Sequence, residues 1–335
     1  MTAEPIPQPA EPILSVRDLV VEFETPAGRV RAVNDVELDV RQGQALGILG
    51  ESGSGKSVTA SAIMGLLDTP PAHVTSGEIL LDEMNLVGLP EKQRQRVIGS
   101  EISMVFQDAL TALNPVHTVG NQIGELYRVH RGMSRRASRL AAIEMMDRVR
   151  IPGAAGRVHD YPHQFSGGMR QRIVIAMALA LDPKVLIADE PTTALDVTVQ
   201  AQILELLKEQ QDERDMGLVL ITHDISVVSE VTDETAVMYA GRIVERGPTR
   251  DLLTNPAHPY SRGLASSVSS EDLKGKRLPA IPGQPPELNR LPAGCSFAPR
   301  CEFAQPECRI SAPPLEEVAP GRRSACFFSD RILRQ

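Results

Sequence analysis

The octapeptide Gly50-Glu51-Ser52-Gly53-Ser54-Gly55-Lys56-Ser57 restricts what this chain can fold into more than any other feature. It satisfies G-x-x-x-x-G-K-[ST] in full. It follows an apolar run from Ala45 to Leu49 and precedes a stretch that reads as a helix to about Leu67. A strand, a glycine-rich turn and a helix start, in that order, gather backbone N–H groups and the positive end of a helix around one point, which suits a phosphate. Lys56 supplies a point charge for the β- and γ-phosphates, and the Ser57 hydroxyl a ligand for Mg²⁺.

A second apolar strand ends in acid. Val185-Leu186-Ile187-Ala188 runs into Asp189-Glu190, so both carboxylates emerge at the carboxyl edge, where open α/β sheets bind ligands. Asp189 suits a place beside Mg²⁺, and Glu190 suits polarising an attacking water. The run from Leu218 to Ile221 likewise ends in Thr222-His223-Asp224, bringing His223 to the same edge. Apolar strands separated by helices imply a parallel sheet covered on both faces.

Residues 13–40 read as short strands around a turn at Thr25-Pro26-Ala27-Gly28. Residues 111–162 read as helical, with Leu140, Ile143, Met146 and Val149 forming one apolar stripe. Past residue 263 the texture changes. Residues 279–320 hold ten prolines, and all four cysteines lie between 295 and 326, which reads as a separate, loop-rich appendix. No internal repeat and no second phosphate loop is found.

Composition excludes some classes. Lys and Arg number 35 against 43 Asp and Glu, a net charge of −8, so the chain has no global field for gripping a nucleic-acid backbone. Its longest apolar run, residues 173–181, is far short of the ~20 residues that span a bilayer. Residues 1–12 carry four prolines and no basic residue, which reads as a flexible tail and not as a secretory signal. A cytoplasmic protein is expected.

With the loop and the acidic pair in place, Phe165-Ser166-Gly167-Gly168-Met169-Arg170-Gln171 resembles the signature sequence of ABC ATPases, and it stands in the family's order, upstream of Asp189. Ser166 followed by two glycines can start a helix whose free N–H groups face an anion. The resemblance implies an α/β P-loop NTPase cassette: a parallel-sheet core with an antiparallel β subdomain and a helical subdomain at about 111–180. Residues 13–263 would form this nucleotide-binding domain, and 264–335 the extension. ATP and Mg²⁺ are the implied ligands. Gln107 is similar to the Q-loop glutamine that touches Mg²⁺ and water, and Ala194-Leu195-Asp196 to the loop that crosses the dimer interface. His223 is similar to the switch histidine on the γ-phosphate, and Phe23 occupies the place of the aromatic that stacks on adenine. Phe165, Met169 and Ala109 depart from the common pattern but leave Ser166 and Gly168 intact. Two cassettes of this family close head to tail. Residues 50–57 and the Ser166–Gly168 signature of one chain would therefore serve two different ATPs.

The stretches Leu113-Asn114-Pro115, Tyr161-Pro162-His163-Gln164, His258-Pro259-Tyr260 and Ile281-Pro282-Gly283-Gln284-Pro285-Pro286 resemble the ATPase subunits of oligopeptide and dipeptide importers, a branch shared with nickel importers. The implied partners are a second ABC ATPase, related or identical, two membrane permeases and an external substrate-binding protein. A peripheral place on the cytoplasmic face of the membrane follows, and nucleic acid is not an expected partner. A DNA-acting ABC ATPase would insert long coiled coils between loop and signature, and the intervening residues show no sustained heptads. A purely regulatory cassette sits poorly with intact Lys56, Asp189, Glu190 and His223.

Cys295-x5-Cys301-x6-Cys308-x17-Cys326 suggests a metal site in a reducing compartment, either a [4Fe–4S] cluster or Zn²⁺. The spacing alone does not choose between them, nor does it exclude four buried free thiols. Similar importer subunits carry an iron–sulfur cluster here, which favours iron. Arg300, Arg309, Arg322 and Arg323 are then candidates to offset a negatively charged cluster.

Overall fold

The structure, a computed structural model, describes residues 11–26, 28–193, 195–267 and 281–334. The expected tail at residues 1–12 therefore lies almost wholly outside the described residues, as does Ala194.

Among the described residues, twelve strands make two sheets. They are β1 (Leu14–Thr25), β2 (Gly28–Val40), β3 (Ala45–Leu49), β4 (Ala72–Leu81), β5 (Met84–Asn85), β6 (Ile102–Val105), β7 (Val185–Asp189), β8 (Gly217–Thr222), β9 (Glu234–Tyr239), β10 (Arg242–Pro248), β11 (Glu316–Ala319) and β12 (Arg322–Ser324). The first sheet is antiparallel, in the order β2-β1-β4-β5. The second runs β11-β12-β10-β9-β3-β8-β7-β6, parallel from β9 to β6 and antiparallel beyond β9. Its parallel strands are apolar because both faces are covered. Leu186, Ala188, Leu218 and Leu220 enter a core shared with the helical region. The alternate residues Val185, Ile187, Val219 and Ile221 enter a core shared with the antiparallel sheet and helix Lys56–Ile63.

Three expectations need correction. Residues 13–40 form two long strands of 12 and 13 residues, not several short ones. Bulges near Leu19 and Val21 absorb the irregular alternation without breaking the pairing. The stripe through Leu140 does not hold either. Helix Arg135–Arg148 buries Ser138, Ala142, Met145 and Met146, while Leu140 is 57% exposed. Strict three-residue steps lag a 3.6-residue helix by about 60° each, so Leu140 lies roughly opposite Val149, three steps away.

The appendix is not separate. Residue 263 falls inside helix Pro259–Ser266, and the chain beyond it returns to add β11 and β12 to the edge of the main sheet. A third core joins Leu49, Val237, Tyr239, Val244 and Tyr260 to Phe297 of this extension. Tyr239, Tyr260 and Phe297 meet with ring centroids 4.6–5.4 Å apart. The described residues contain no helix long and apolar enough to cross a membrane.

Candidate functional site

Residues 50–57 turn between β3 and helix Lys56–Ile63. Gly55 adopts φ +108°, and a Cβ there would lie 2.6 Å from the Ala32 carbonyl oxygen, so only glycine closes the turn. The helix it starts has no side-chain cap and no acid in its first turn, which leaves its first N–H groups without a side-chain acceptor. Lys56 folds back over the turn, its Nζ 2.8 Å from the Gly50 carbonyl and 3.0 Å from that of Glu51. Burial lowers the Lys56 pKa from its ordinary value, against the pull of Glu190, Asp189 and Glu51.

The carboxyl ends of β7 and β8 bring the acids and the histidine to this turn. The Ser57 hydroxyl donates to Asp189 Oδ1 at 3.1 Å. Burial pushes the Asp189 carboxyl up, against that hydrogen bond and the Lys56 charge. Glu190 stands at φ +45°, a conformation unusual for a residue with a Cβ, and it ends the strand abruptly. His223 Nδ1 lies 3.0 Å from Glu190 Oε1, while Gln107 Nε2 and the Thr193 hydroxyl both donate to Oε2 at 2.9 Å. Burial pushes Glu190 up, yet the hydrogen bonds from His223 and Thr193 outweigh it and hold the carboxyl below its ordinary range. Glu51, Ser52, Gly53, Lys56, Ser57, Gln107, Glu190 and His223 line one open cleft. Its walls offer a cationic loop, the Ser57 hydroxyl and an ionised glutamate that three neighbours orient, and Asp189, bonded to Ser57 outside the lining, adds a carboxylate for a divalent ion. That set serves phosphoryl transfer to water.

Other candidate residues lie elsewhere. Ser166 caps helix Gly167–Leu179, accepting from the Met169 amide, and Asp196 caps helix Val197–Arg214, accepting from the Val199 amide at 3.0 Å. The two helix starts touch: a Cβ on Gly168 would sit 2.5 Å from Val199 Cγ1, and one on Gly167 3.8 Å from Leu195. Neither Ser166 nor Asp196 lines the cleft that holds Lys56. Phe23 is half-buried on β1 against the central core, also outside the lining.

All four cysteines border one small cavity, with His258, Phe297, Phe303 and Phe328 among the other walls. Burial raises the pKa of Cys295, and pushes Cys301 up to about 11 and Cys326 up to about 12. No three His, Cys, Asp or Glu side chains among the described residues stand close enough to hold a single metal ion. The arginines expected to balance a cluster mostly have other partners: Arg300 pairs with Glu51, Arg322 with Glu245 and Arg323 with Glu37. Opposite charge was available nearer at hand on the cassette.

Sequence reasoning missed Thr193, and it named Tyr260 and Arg300 only in other roles, Tyr260 within a family-like stretch and Arg300 as a counter-charge to a cluster. Tyr260 Oη accepts the Glu51 amide hydrogen at 2.8 Å, and Leu264 from the same helix joins the cleft lining. Thr193 lies three residues past Glu190 and was open to inference. Tyr260 and Arg300 carry no local signal, because only the return of the chain brings them to residue 51.

Comparison with known proteins agrees with this geometry. A family described as "ABC transporter" matches residues 33–193, and one described as "Oligopeptide/dipeptide transporter, C-terminal region" matches residues 244–308. The chain is 50% identical to an oligopeptide transport ATP-binding protein, OppD, of Salmonella typhimurium, over 97% of this chain and 96% of that one. It is 53% identical to a dipeptide transport ATP-binding protein, DppD, of Bacillus subtilis, over 96% of each. Among solved structures, a dimeric ATP-binding cassette in a post-hydrolysis state with ADP and Pi superposes with a TM-score of 0.63. That cassette is 28% identical, and the match covers 71% of this chain and 99% of it. A glycine-rich turn shaped for an anion, two acids and a histidine at neighbouring strand ends, and relatives over nearly the whole length lead to one assignment: the chain belongs to the ABC transporter ATPases, in the branch that carries the oligopeptide/dipeptide transporter C-terminal region.

Proposed function

We propose that this chain hydrolyses ATP to power peptide import through a multi-subunit ABC transporter. The observation that carries the reading is the cleft in which Lys56, Ser57 and the Glu190–His223–Gln107 cluster meet, with Asp189 hydrogen-bonded to Ser57 beside it. Lys56 would hold the β- and γ-phosphates. Ser57, Asp189 and Gln107 would hold Mg²⁺, which supplies charge to the phosphate oxygens when bound. Glu190, ionised and held by Gln107, Thr193 and His223, would orient the attacking water, and His223 would meet the γ-phosphate. Ser166, Gly167, Gly168 and Asp196, away from that cleft, fit a site completed by a second cassette. The names of the relatives and the description of the C-terminal region favour peptide over nickel or another small solute. Two permeases, a second ATPase and an external binding protein would complete the machine, with this chain attached through them to the cytoplasmic face of the membrane.

In the assembled transporter, Glu190→Gln should retain ATP and lower turnover about a hundredfold or more, because a positioned general base contributes roughly that much. Near-normal phosphate release by that variant would overturn the reading.

Residues 13–263 would act as the motor and 264–335 as an extension that also carries a metal centre. Four thiols around one cavity suit a cluster of several atoms. The resemblance to importer subunits that carry an iron–sulfur cluster favours [4Fe–4S] over a single Zn²⁺. Anaerobically purified protein should contain about four irons per chain. It should lose them when Cys301 is changed to Ser, as read by metal analysis. Stoichiometric zinc, or no metal with four titratable thiols, would refute the cluster.

A further inference from the structure

The phosphate loop is held from both sides, and one of the two hands belongs to the C-terminal extension. Arg300 lies 249 positions from Glu51 in sequence, yet its Nη1 and Nη2 meet Glu51 Oε2 and Oε1 at 2.6 and 2.9 Å, a bidentate fork. The guanidinium is itself gripped. Its Nε donates to the Pro282 carbonyl at 2.9 Å, and it stacks 5.8 and 5.9 Å from the ring centroids of Tyr239 and Phe297. Its side chain is 5% exposed. The Glu51 amide hydrogen goes to Tyr260 Oη, and the Glu51 carbonyl accepts from Lys56 Nζ. Every polar group of Glu51 is thus taken, and Glu51 lines the cleft where the triphosphate would lie.

A carboxylate at that place is costly for an anionic ligand unless a fixed cation cancels it. We propose that Arg300 is a positioning residue for the ATP site: it neutralises Glu51 and fixes the first turn of the loop on which Lys56 closes. The motif's second residue, an acid beside a phosphate cradle, then has a reason, since it is the hook by which the extension grips the motor. A lysine would keep the charge but lose the fork. The proposal rests on reading the cleft as an ATP site.

The test uses the full-length chain, titrated with MgATP by calorimetry. Arg300→Gln should weaken ATP binding about tenfold, the scale of one uncancelled charge in a partly solvated cleft. The double variant Arg300→Gln/Glu51→Gln should recover to within about threefold of wild type, because the offending charge is gone. Arg300→Lys should also stay within about threefold, and it keeps the test open if the Gln variant fails to fold. Unchanged affinity in Arg300→Gln, or a double variant as weak as the single, would overturn the proposal and leave Arg300 a packing residue. Absence of binding by the wild-type chain would overturn the ATP-site reading itself.

Discussion

At the scale of single residues, the chemistry sits where strands stop. Asp189, Glu190 and His223 follow apolar runs directly, and a strand end carries a side chain to the sheet's edge whatever the rest of the fold does. Their orientation needed more: the hydrogen bonds to Glu190 come from residues 107, 193 and 223. A different residue should contribute to the acid sensitivity of the fold. His258 is fully buried, and its Nδ1 accepts the Tyr260 amide hydrogen, so its folded form is neutral and its pKa is pushed down to about 3. The unfolded chain takes up a proton near the ordinary 6.5, so stability present above that value is lost as pH falls below it. The loss is about 1.4 kcal/mol per pH unit, or roughly 2 kcal/mol by pH 5. His258→Asn, which keeps a capping acceptor but cannot titrate, should flatten the fall in Tm between pH 7 and 5. An equally steep fall would remove His258 as its source.

At the scale of elements, helices and strands announced themselves unevenly. The strands β7 and β8 were legible because both faces are buried and the residues are therefore apolar throughout. Helix Arg135–Arg148 misled because Leu140 is an exposed apolar residue, and periodicity cannot tell such a residue from a buried one. The signature glycines have a meaning visible only between elements. Gly168 lets helix Gly167–Leu179 start against Val199, whose β-branched side chain cannot swing away. Gly168→Val should displace that helix start and lower turnover of the assembled transporter at least tenfold, since an ångström of misplacement is enough. ATP affinity of the isolated chain, set by residues 50–57, should stay within about threefold, and equal turnover in variant and wild type would contradict this account.

At the scale of the whole molecule, the extension is part of the cassette's architecture. It supplies Phe297 to a core with Tyr239 and Tyr260, pairs β12 with β10, and places Arg322 on the buried Glu245 carboxylate. Burial raises the pKa of Glu245, and two backbone amides with Arg322 offset only part of that rise. A chain ending at residue 267 would expose this core and the edge of β10, a template for aggregation. It should melt several degrees lower and self-associate in light scattering. A monomeric truncation with an unchanged Tm would show that the cassette closes its own core.

The sequence by itself determined the phosphate loop, the strand ends that carry Asp189, Glu190 and His223, the helix start at Ser166 and the clustering of four cysteines. Each depends on neighbours in the chain or on an alternation a few residues long. Only the tertiary structure decided that Arg300 and Tyr260 hold Glu51, that Gly168 meets Val199, and that the extension completes the main sheet. These are contacts across tens to hundreds of positions. They depend on which surfaces the closing chain brings together, and neither local propensity nor periodicity carries that information.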